Sequence, residues 1–134
     1  MRYTLILLFF LISLIGFSQE MKTDTIINDM LIIRNDSMTM ALDAYARFKN
    51  RNFTVLGVSL DQPEGKDDWM NAVMKDRLTW TQVSDLQYWN SPVVPLYNIQ
   101  GIPYNVLVDP NGKVVAESLR GEQLAATLEQ VLPK

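Results

Sequence analysis

The chain has 134 residues, 48% of them hydrophobic and 20% charged, with 12 basic against 15 acidic side chains and neither Cys nor His. Without Cys there is no disulfide, thiolate nucleophile or sulfur ligand for zinc, and without His the usual base near neutral pH is missing, so thiol redox chemistry and Ser-His-Asp hydrolysis are excluded. The length allows one domain, the apolar fraction suits a folded core, and a net charge of -3 with a pI near 4.8 gives no basic surface for nucleic acid.

Residues 1–18 are expected to be a signal peptide. Met1-Arg2 supply a positive start, Thr4 to Ile15 is an almost unbroken run of Leu, Ile and Phe, and Gly16 and Ser18 put small residues three and one before Gln19. Cleavage after Ser18 would release an exported domain, periplasmic or extracellular. Left uncut, the segment would act as a membrane anchor, although the run is short for a bilayer span. The membrane enters the reading only through this segment, and no Cys follows it to carry a lipid. Residues 19–35 read as an irregular N-terminal segment whose one strand candidate is Met30 to Ile33, and residues 36–134 as the folded domain.

Asp36 or Ser37 can cap a helix on which Met38, Ala41, Leu42, Tyr45 and Phe48 recur at helical spacing, ending near Asn50. Phe53 to Leu60 is a continuous apolar, β-branched run, the pattern of a strand covered on both faces, and Gln62-Pro63-Glu64-Gly65 ends it. Lys66 to Arg77 reads as a second helix with Trp69, Met70, Val73 and Met74 on its apolar side, and Thr79 to Val83 as a short strand. A helix starting at Ser91-Pro92 must be short or irregular, because Pro95 removes a donor where the hydrogen-bond ladder begins. Tyr104 to Asp109, a turn over Asp109-Pro110-Asn111-Gly112, and Lys113 to Glu117 predict a β-hairpin. Gly121 to Leu132 closes the chain as a helix with Leu124, Leu128 and Val131 on one stripe. Helices alternating with strands imply an α/β sheet.

Six blocks in this order carry a resemblance: AYARFKNRNF, VLGVSLD, LTWTQVSDLQYWNS, LYNIQGIP, VLVDPNGKVV and LRGEQL, spread over residues 44–132. Together they resemble the TlpA/ResA-type thiol-disulfide oxidoreductases, a thioredoxin-fold branch related to the AhpC/TSA peroxiredoxins. The resemblance implies a central mixed β-sheet flanked by helices, with a cis peptide bond at Ile102-Pro103 in a loop, Gly101 to Pro103, that pairs with the backbone of an extended peptide. It also implies a WCxxC motif at the start of the first core helix, after a long apolar strand. The chain has instead NDMLIIRNDSMTMALDAYARF. The first core strand and redox turn are therefore expected to be shortened or missing, with Met30 to Ile33 as the segment available for that place.

Other chemistry reads as structure. Asp109 to Gly112 lacks the Gly and Glu that a calcium loop would need at Val114 and Arg120, and Asp67, Asp68 and Asp76 beside Lys66 and Lys75 form a solvated helix face. Asn35-Asp36-Ser37 and Asn52-Phe53-Thr54 fit the glycosylation pattern, which matters only in a glycosylating host. Trp89, Tyr97 and Tyr104 are the candidate groove aromatics. The expectation is a non-catalytic peptide- or protein-binding module without cofactor or metal. The alternative is a truncated or decayed relative without independent function.

Overall fold

The computed structural model describes residues 3–9 and 38–133. Five strands form one mixed sheet: β1 (Tyr3–Phe9), β2 (Phe53–Ser59), β3 (Thr81–Val83), β4 (Tyr104–Val108) and β5 (Val114–Glu117), in the order β3-β2-β1-β4-β5. The helices are α1 (38–48), α2 (Lys66–Lys75), α3 (Val93–Leu96) and α4 (Glu122–Val131), with short 3-10 turns at Pro63–Gly65 and Tyr88–Asn90.

The sheet centre comes from an unexpected place. Tyr3–Phe9, inside the segment read as a signal peptide, pairs in parallel with β2 from Tyr3↔Phe53 to Phe9↔Ser59, and antiparallel with β4 from Thr4↔Val108 to Leu8↔Tyr104. The strand between β2 and β4 is thus Tyr3–Phe9, seven residues long. Met30 to Ile33, the segment proposed for that place, lies outside the described residues, as does all of 19–35. The described sheet therefore draws on residues 3–9, which lie outside the 36–134 stretch expected to form the domain.

Alternation along the strands divides the core into two layers. On one face Leu5, Phe53, Val55 and Leu107 pack against Met38, Ala41, Ala44 and Phe48 of α1 and Leu124 and Leu128 of α4. On the other, Ile6, Leu56 and Val58 meet Leu60, Ile99 and the α3 residues Val93 and Val94. The rings of Phe48 and Phe53 meet edge to face at 6.4 Å, and the guanidinium carbons of Arg47 and Arg51 lie 4.9 and 5.4 Å from the Phe48 ring centroid. Burying a side chain such as Phe48, fully covered here, is worth about 1.5–3 kcal/mol.

Helix α2 departs from its expected face. Met70 and Met74 are exposed, while Trp69, Ala72 and Val73 are half-buried. The covered positions are thus 69, 72, 73 and 76, at i, i+3, i+4 and i+7, and they include Asp76, which the sequence placed on the solvated face. Helix α3 spans only four residues, as Pro95 within it requires. In the β4–β5 hairpin, Asp109 Oδ1 accepts from the Lys113 and Asn111 backbone N–H groups, both at 2.9 Å, and the Gly112 N–H donates to the Asp109 carbonyl at 3.0 Å. These bonds, with that from Lys113 foremost, hold the Asp109 carboxyl below its usual range. Its oxygens are spent on the turn, the role expected of Asp at this position.

Candidate functional site

The loop from Gly101 to Pro103 leads into β4, and its Ile102–Pro103 peptide bond is cis. Gly101 is exposed, while Ile102 and Pro103 are half-buried. Beneath them Ile102, Tyr97 and Tyr104 pack on one apolar cluster with Val58, Leu60 and Ile99. The structure thus brings two of the three candidate aromatics to the loop. Trp89 is outside that cluster, 37% exposed, its ring 6.0 Å from that of Tyr88 at 76°.

Two contacts missed in the sequence hold this region. Arg120 donates from Nη2 to the Pro103 carbonyl at 2.6 Å and from Nη1 to the Leu119 carbonyl at 3.0 Å, clamping the loop to the start of the last helix. The Tyr104 hydroxyl donates to Glu117 Oε2 at 2.7 Å across the hairpin. Burial pushes the Tyr104 phenol up, and the bond to Glu117 and its negative charge push the same way, so the ring keeps its proton and remains the donor.

A polar network lies where β2 and β3 end, the edge at which open α/β sheets place their sites. Asp61 and Ser59 are buried, and the Ser59 hydroxyl donates to Asp61 Oδ2. Ser84 Oγ donates to the Ser59 carbonyl at 2.9 Å, Ser91 Oγ donates to Asp85 Oδ2 at 2.6 Å, and the Tyr88 N–H donates to the Asp61 carbonyl at 3.2 Å. Buried polar groups are stable when bonded in this way, and the network fixes the loops around α3. A serine hydroxyl on a carboxylate, without His beside it, is an anchor rather than an activated nucleophile. Among the described residues no three acidic side chains gather as a metal site.

A groove of about 590 Å³ runs between α1 and α4, lined by Met40, Phe48 and Leu124 with Asp43, Arg47 and Arg120. Arg47 already pairs with Glu129 at 2.7 Å. Arg120 reaches both this groove and the Pro103 carbonyl, which makes it the structural link between them.

A mixed sheet flanked by helices, with a cis-proline loop entering β4, defines a thioredoxin-like domain. The chain belongs to the AhpC/TSA family, whose model matches residues 35–117. Among solved structures it is similar to the thioredoxin domain of a thiol-disulfide oxidoreductase from Bacteroides vulgatus. That likeness has 30% identity and a TM-score of 0.74, and covers 98% of this chain and 80% of the other. It is also similar to a thiol-disulfide oxidoreductase from Bacteroides fragilis, at 32% identity and a TM-score of 0.65 over 98% and 82% of the two chains. A thiol:disulfide interchange protein from Bacteroides sp. matches at 32% identity and a TM-score of 0.70 over 98% and 73%. No curated protein matches. The chain is therefore a thiol-disulfide oxidoreductase family domain of the TlpA/ResA type without the cysteine motif, for it contains no Cys. Thiol-disulfide exchange proceeds through a thiolate, which none of its residues can supply.

Proposed function

We propose that this domain is a non-catalytic peptide- or protein-binding module that uses the Gly101–Pro103 loop. The observation that carries the reading is the geometry of that loop. Gly101 is exposed, Ile102 and Tyr97 are packed beneath, and Arg120 holds the Pro103 carbonyl from behind, so a short stretch of backbone stands fixed at the surface. Fixed backbone of this kind recognises an extended partner by strand-like pairing, with pockets for alternate side chains. Pre-ordering by Arg120 lowers the entropy lost on binding.

The test is titration of the full chain with fluorescent peptides selected from a random display library. Saturable binding is expected, and it should be lost when the backbone amides of the bound peptide are N-methylated. A library without any saturable binder, or turnover of a peptide disulfide by the purified protein, would overturn the reading.

One observation favours the alternative, a decayed relative without independent function, for a chain that has been exported and cut. Cleavage after Ser18 would remove Tyr3–Phe9, the strand to which both β2 and β4 are paired. Export to the periplasm or beyond the cell, proposed from the pattern of residues 1–18, belongs with that alternative.

A further inference from the structure

Strand β1 is the junction of the sheet. Its pairs with β2 run from Tyr3↔Phe53 to Phe9↔Ser59 and its pairs with β4 from Thr4↔Val108 to Leu8↔Tyr104, and among the described residues no pairing joins β2 to β4 directly. Its side chains serve both layers of the core. Leu5 is wholly buried in the cluster of Phe53, Val55, Phe48 and Leu107, and Ile6 packs on the opposite cluster of Val58, Leu60 and Ile99.

Without β1 the sheet falls into two fragments: β2 with β3, joined over Leu56↔Thr81 to Val58↔Val83, and the β4–β5 hairpin. Two-stranded pieces are marginal in water. The unpaired backbone of β2 and β4 would face each other across a gap, and the site filled by Leu5 would become a cavity beside Phe48 and Phe53.

The same residues lie in the stretch whose sequence pattern is that expected of an export signal. The two uses read alike because a strand covered on both faces and a signal core are both continuous apolar runs. They exclude each other physically. A segment engaged by the membrane or removed by a peptidase cannot also bond to β2 on one side and β4 on the other.

We propose that Tyr3–Phe9 is retained as the central strand of the folded protein, so that cleavage after Ser18 and this fold are mutually exclusive outcomes for one chain. The N-terminal segment is then a conformational device. Docked into the sheet it completes the domain, and removed it leaves a chain that cannot close its core.

The test uses the full chain as purified, with its intact mass measured and its amide hydrogen exchange followed segment by segment. Retention of residues 1–18 is expected, with Tyr3–Phe9 exchanging as slowly as Phe53–Ser59 and Tyr104–Val108. In a Leu5→Pro variant of the full chain, protection should be lost in β2 and β4 together, because the proline removes a ladder donor from their shared neighbour. Two results would overturn the proposal. One is a form lacking residues 1–18 in which β2 and β4 stay as protected as in the full chain. The other is a full chain in which Tyr3–Phe9 exchanges fast while β2 and β4 are protected.

Discussion

Glu129 ties α4 to the end of α1 and the turn that follows it. Its Oε1 accepts from Arg47 and its Oε2 from Arg51, both at 2.7 Å, while Arg51 also donates to the Pro133 carbonyl at 3.0 Å. The Arg51 bond first, and that from Arg47 after it, hold the Glu129 carboxyl below its usual value of 4.5. A carboxyl depressed on folding adds stability above its unfolded pKa and loses it as pH falls through the folded value. The difference in urea midpoint between the native chain and Glu129→Gln should therefore be full near neutrality and shrink below about pH 4. A gap that widens on acidification would contradict this. With the side chains of Arg47 and Glu129 59% and 42% exposed, the pair is screened and the gap should be small even at its maximum.

At the scale of the element, Gly121 gives the sharpest prediction. It precedes α4 with φ 48° and ψ -129°, and a Cβ placed there would meet no atom within 4 Å. The backbone conformation alone demands glycine. Gly121→Ala should therefore destabilise the fold by ~1–3 kcal/mol without repacking any neighbour, read as a lower urea midpoint with an unchanged m-value. Elements such as α1, α4 and the hairpin were legible because their period or turn chemistry is local: Leu124 and Leu128 lie one turn apart, and Asp109 caps its own turn. Strand β1 was not legible as a strand, since its uninterrupted Leu and Ile residues carry no period that separates a doubly covered strand from an export signal. The Arg120–Pro103 contact was equally hidden, because it joins loops that only the sheet brings together. Ile102-Pro103 was reached through family resemblance, not through any spacing of its own.

For the whole molecule, the chain keeps the thioredoxin-like sheet with no cysteine at all. Stability must come from the two apolar layers and from the ladder through β1. Both layers share that sheet, so the domain should unfold as one cooperative unit. The most direct measurement is urea unfolding of the full chain, followed on the same samples by tryptophan fluorescence, to which buried Trp80 contributes, and by far-UV circular dichroism. Coincident transitions with an m-value near ~1–2 kcal/mol/M are predicted. Separate or shallow transitions would contradict it, because they would show a sheet whose two halves unfold independently.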